Sequence, residues 1–119
     1  MFNFFKKKKI LIVVDAPGPA EFILPVIPLL KKKHEVSLIT VLASPTEILS
    51  AHNPRRIDSE SEAANLPAVA GVYAEINPDI LLVAMSSLVL GPYVNQKITE
   101  LAHADKKKII DDCPVAIHR

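Results

Sequence analysis

Only one cysteine, Cys113, occurs in the 119 residues. That excludes an internal disulfide and a cysteine-based zinc site, and it points to a reducing cytoplasm. Aromatic residues are scarce as well, with four Phe, two Tyr and no Trp in a chain that is 50% hydrophobic. An aliphatic-rich, aromatic-poor composition suits a parallel α/β sheet better than a sandwich, or than a nucleic-acid platform of exposed rings. No apolar run approaches the roughly 20 residues of a membrane span. The longest, 22–30 and 80–90, are interrupted by Pro25 and Pro28 and by Ser86 and Ser87. Neither a G-x-G-x-x-G fingerprint nor a G-x-x-x-x-G-K-[ST] loop is present, which argues against a dinucleotide cofactor and a P-loop nucleotide. His34, His52, His103 and His118 stand apart without ligand spacing, so neither a metal nor a cofactor is expected.

What is present centres on residues 9–41. Residues 10–14 are five consecutive aliphatics, the composition of a strand buried on both faces. After Asp15, the stretch Ala16-Pro17-Gly18-Pro19 forms a loop, because two prolines fix φ and remove donors while Gly18 permits unusual angles. Pro19 suits the first position of a helix, Glu21 its first turn, and Phe22, Ile23, Val26, Ile27 and Leu30 recur at helical spacing. Pro25 and Pro28 inside that helix predict a kink or a late start, since an interior proline costs roughly 3 kcal/mol. Lys31, Lys32 and Lys33 suit the helix end, and 35–41 alternates as a second strand.

The chain continues in the same rhythm. Ser44 and Glu47 read as a capping box for a short helix through about residue 51. The polar stretch 52–62 leaves only Ile57 to bury, so any third strand is short and at an edge. Residues 62–76 predict a helix, Asn77-Pro78-Asp79 its stop, and 80–84 a buried strand. Serines follow in the loop 85–91, a further helix runs from Pro92 to about Asp105, and a last strand covers 109–111.

This alternation predicts one Rossmann-like domain over 9–119 after a basic extension, 1–8. Its fold class is α/β, three-layer α/β/α with a four- to five-stranded parallel sheet of order 3-2-1-4-5. Strand order reverses between the first and fourth strands, so loops 15–21 and 85–91 should face one crevice. Ten lysines, 6–9, 31–33 and 106–108, precede strands and should share the sheet's amino-terminal edge, while Asp15, Glu21, Asp58, Asp111 and Asp112 follow strands or open helices. The lysines read either as gatekeepers matched to helix dipoles or as a surface for an anionic partner, a peripheral membrane contact before nucleic acid. A lone Asp15 and the ending Asp111-Asp112 exclude a receiver domain, which needs an acidic pair after the first strand and a lysine after the last.

Pro19-Ala20-Glu21, the aliphatic helix ending in Lys31 to Lys33, His34-Glu35-Val36, and Asn77-Pro78-Asp79 before ILLVA resemble the amino-terminal halves of GT-B glycosyltransferases and UDP-N-acetylglucosamine 2-epimerase-like proteins. Lys33 replaces the glycine usual before the His-Glu-Val start. The resemblance implies an acceptor-side domain of carbohydrate or cell-surface polysaccharide metabolism. Such a domain handles a sugar or nucleotide-sugar and is inactive without a second Rossmann half or an oligomeric partner. On that basis Gly18, Glu21, Ser86, Ser87 and Gly91 line the substrate cleft, and Asp15 or Asp111 serves as base if burial raises its pKa. Two acidic neighbours work against a reactive thiolate at Cys113, which reads as structural. A rival reading is a non-catalytic binding or assembly module that docks a partner through its basic edge or an unfinished sheet edge.

Overall fold

The computed structural model describes residues 7–14, 16–41, 43–57, 62–84 and 93–112. Its centre is β1 (Lys9–Val14), in which every residue after Lys9 is buried. β1 pairs in parallel on one side with β2 (Glu35–Thr40), Lys9 opposite Glu35, and on the other with β4 (Ile80–Ala84), Ile10 opposite Ile80. β3 (Arg55–Arg56) and β5 (Lys108–Asp112) complete a parallel sheet of order β3-β2-β1-β4-β5, as the sequence predicts.

Successive side chains of a strand point to opposite faces, so β1 serves two cores. Leu11 and Val13 face α4 (Glu62–Ile76) and α5 (Tyr93–Ala104), packing with Val69, Tyr73, Ile98 and Ala102. Ile10, Ile12 and Val14 face the opposite layer, α1 (Pro17–Ile23), α2 (Ile27–Lys31) and α3 (Ala43–Ile48), through Ala20, Ile23, Ile27, Ile48 and, just after α3, Leu49. The uninterrupted apolar run of β1 is thus explained by helices on both sides.

The prolines divide the first connection into two helices. Pro25 has no N–H to donate, and the Val26 N–H reaches the Ile23 carbonyl, three residues back, at 2.9 Å; α1 ends and α2 begins at Ile27. The start differs from expectation. Pro17, not Pro19, takes the first turn after an extended Ala16, so Glu21 falls in the second turn, beyond the strongest field of the helix end. Gly18 lies within α1, and no described glycine has positive φ, so this position does not use glycine's conformational freedom. Ser44 also lies inside a helix rather than capping one, because α3 already begins at Ala43. The hydroxyl that ties this region down is Thr46, whose Oγ1 lies 2.7 Å from Oγ1 of the fully buried Thr40.

A reciprocal clasp fixes β1 against β4: the Lys9 N–H donates to Asp79 Oδ2 at 2.9 Å, and the Asp79 N–H donates to the Lys9 carbonyl at 2.8 Å. The first bond holds the Asp79 carboxyl below its ordinary range against an opposing effect of desolvation, and the charges of Lys8, Lys107 and Lys9 add to the lowering. At the start of β2 the Lys8 N–H donates to His34 Nδ1 at 3.1 Å and the Glu35 N–H to the Lys8 carbonyl at 2.9 Å. The His34-Glu35 pair therefore has a structural use at the strand entry.

Candidate functional site

Val14 and Ala84 stand side by side at the carboxyl ends of β1 and β4. The chain leaves β1 toward α1 and returns to β2 on one side, while β4 flanks β1 on the other. This is a topological switch point, where open α/β sheets bind ligands. Gly18 is exposed in the first turn beyond β1, and a Cβ built on it meets nothing within 4 Å. The glycine therefore marks open space beside the strand ends rather than a tight backbone approach. Glu21 is exposed one turn further along α1, on the side away from the buried Ala20 and Ile23. Asp111 is placed in β5 beside Val83, one strand outward from the switch point. Asp15, Asp58, Ser86, Ser87, Gly91, Cys113 and His118 lie outside the described residues.

A second concavity was not anticipated from the sequence. At the opposite, amino-terminal end of the sheet a cleft of about 460 Å³ lies along Glu35–Leu38, walled by Lys31, His52, Arg55 and Glu75. Lys31 Nζ lies 3.0 Å from His52 Nδ1. Desolvation, then the adjacent Lys31 charge, lowers the His52 pKa, so near neutral pH the imidazole is uncharged and accepts the ammonium proton. Across the cleft Arg55 Nη2 donates to Glu75 Oε2 at 2.5 Å, with Nη1 directed at Oε1 at 3.5 Å. Both side chains are at least half exposed, so this pair orients the wall more than it stabilises the fold. The short third strand that the polar stretch 52–62 predicts is the cleft's origin: β3 pairs only Ile39 and Thr40 of β2 and leaves the rest of that edge to it.

No group of three or more metal-ligating side chains converges among the described residues, and no described helix is long and apolar enough to cross a membrane.

No family model matches the sequence, and no curated protein matches it. Solved structures do match the fold. UDP-GlcNAc 2-epimerase from Neisseria meningitidis, bound to UDP-GlcNAc, superposes with a TM-score of 0.63 at 16% identity, over 86% of this chain and 31% of that one. A glycosyltransferase from Rickettsia africae superposes with a TM-score of 0.56 at 18% identity, over 92% of this chain and 30% of that one. The chain spans about a third of the length of either protein, and at these identities the likeness shows the fold, a Rossmann-like α/β unit of the GT-B type.

Proposed function

We propose that this chain is the acceptor-side half of a GT-B-type nucleotide-sugar enzyme of carbohydrate or cell-surface polysaccharide metabolism in the cytoplasm, active only beside a second Rossmann half. One observation carries the reading: a switch point at β1 and β4, in a fold shared with an epimerase that binds UDP-GlcNAc and with a glycosyltransferase. In this proposal Gly18 and Gly91 leave room for a sugar ring, Ser86 and Ser87 offer it hydroxyls, and Glu21 accepts from the sugar's own hydroxyls. Asp15 or Asp111 takes a proton from the acceptor, a role that requires burial to lift its pKa toward neutrality when the two halves close. No metal or cofactor takes part.

The test is an amide chemical-shift titration with UDP, UDP-sugars and simple glycans, run on the chain alone and beside a separately supplied second Rossmann half. Shifts confined to residues 15–21 and 85–91 support the proposal. A response elsewhere, or none in either setting, overturns it. A second reading, a non-catalytic assembly module that docks a partner or an anionic membrane surface, draws on a different observation: the edge of β2 that lacks a neighbouring strand along Glu35–Leu38 among the described residues.

A further inference from the structure

β2 is six residues long, and its inner edge is fully paired with β1 from Glu35 to Thr40. On its outer edge β3 meets only Ile39 and Thr40. Backbone groups of successive strand residues point to alternate neighbours, and the hydrogen bonds at the two ends of β2 fix which way each points. The Glu35 and Val41 N–H groups donate toward β1, to the Lys8 and Val14 carbonyls, whereas the Thr40 carbonyl accepts from the Ile57 N–H on the β3 side. By this alternation Val36 presents both its N–H and its carbonyl outward, into the cleft, and Leu38 its N–H. The parallel register of β3 takes up the Leu38 carbonyl but reaches no further. Asn53, in the left-handed region at φ 52 and followed by Pro54, lines the cleft with His52 just before Arg55, and among the described residues no strand pairs with Glu35–Leu38 on this side.

The empty row is about 13 Å long at roughly 3.3 Å per residue, room for a strand of about four residues. It deepens along its length, from exposed Glu35 through half-buried Val36 and Ser37 to Leu38, which is only 3% exposed. Its floor alternates donor and acceptor, and the Val36 carbonyl needs an incoming N–H. A phosphate ester has none to give, whereas a peptide backbone supplies both kinds of group.

Charge selects among peptides. Lys31 donates to a neutral imidazole and forms no ion pair among the described residues, and Lys9 adds a second cation to the rim. Glu75 is engaged by Arg55, and Glu35, exposed at the start of β2, is the other carboxylate in the lining, so the cations Lys9, Lys31 and Arg55 outnumber the carboxylates by one. A second copy of the chain would bring an identical basic rim against this one, which like-charge repulsion opposes.

We propose that the open edge of β2 is a docking groove for a short acidic segment of a partner protein, which adds as a strand in the row that β3 leaves empty and sets a carboxylate against Lys31. Main-chain bonds to Val36 and Leu38 supply affinity, and the basic rim supplies selectivity. The groove lies at the sheet end opposite the proposed sugar crevice, so the two proposals stand or fall separately.

The test is an amide chemical-shift titration of the chain with three capped peptides: Glu-Val-Glu-Val-Glu, Lys-Val-Lys-Val-Lys, and the acidic peptide N-methylated at alternate positions. The expected result is a saturable response at Val36 and Leu38 with the first alone, weakened roughly tenfold in Lys31→Glu, as loss of a close charge pair implies. The exposed position of Lys31 lets that variant fold, and its unperturbed spectrum confirms it. The proposal is overturned if the basic peptide binds equally, if N-methylation changes nothing, if no peptide shifts these amides, or if sedimentation shows self-association through this edge.

Discussion

Among the described residues, Tyr73 is one whose acidity folding clearly alters. Its ring is buried between α4 and α5, and its hydroxyl donates to Asp105 Oδ2 at 3.0 Å. Burial, then that hydrogen bond and the carboxylate's charge, push its pKa up to about 12 from an ordinary 10.0. The native state therefore holds this proton more tightly than the unfolded chain does. The resulting stability is complete below pH 10 and is lost as pH climbs from 10 toward 12. Tyr73→Phe is expected to cost about 1 kcal/mol near neutrality and to flatten the alkaline fall in urea midpoint measured between pH 8 and 11.5. The common background of lysine titration is shared by both proteins.

Lys106 offers a contrasting case, in which the residue type opposes the backbone. Its N–H donates to the His103 carbonyl at 3.0 Å and that of Lys107 to the Ala102 carbonyl at 2.9 Å, the paired bonds of a Schellman stop after α5. That geometry places Lys106 at φ 58, where a β-carbon is crowded. Lys106→Gly should raise stability by about 0.5–1 kcal/mol, seen as a higher urea midpoint with an unchanged slope.

At the scale of elements, burial alone separates costly from harmless substitutions. Ile12 is fully enclosed by the α1, α2 and α3 layer, whereas Phe22 is 60% exposed on α1 although both belong to apolar stretches. Ile12→Ala should lose about 2–5 kcal/mol and Phe22→Ala less than about 0.5 kcal/mol in the same denaturation assay.

The same contrast explains what was legible in advance. β1 and β4 were readable because unbroken aliphatic runs bounded by Asp15 and by Asn77-Pro78-Asp79 have few other uses, and the alternation of elements then implied the strand order. Helix starts were not: Pro17 and Pro19 are equally able to open α1, and Ser44 resembles a cap whether it stands at the boundary or one residue inside. The cleft along β2 was invisible for a different reason. It brings together residues as far apart as Lys31 and Glu75, which no local pattern encodes, although the short edge strand beside it was legible in the polar stretch 52–62. Of the crevice residues, Gly18 was legible as a feature of the loop after β1, but its open surroundings come from packing.

Over the whole molecule, charge and chain order follow the sheet. Lys9, Lys31 to Lys33 and Lys106 to Lys108 stand at or just before the starts of β1, β2 and β5, so the amino-terminal edge is basic although the net charge is only +1. The central strand, first to be made, has its two neighbours far along the chain: β2 begins at Glu35 and β4 at Ile80. A chain deliberately ended at Asn77 would keep β2 but leave one edge of β1 bare. It is expected to be recovered as aggregate, with no cooperative thermal transition, where the full chain gives one.

The clasp between Lys9 and Asp79 has a consequence for biosynthesis. It closes only after the ribosome has released residues on both sides of a 70-residue separation, and β1 gains its second neighbour at the same moment. Between the synthesis of β1 and that of β4 the nascent polypeptide carries an adhesive aliphatic ribbon, residues 10–14 of β1, with one edge unpaired. The lysines before that ribbon act during this interval as its solubilising head, and a chaperone that favours aliphatic segments flanked by cations would find its best target here.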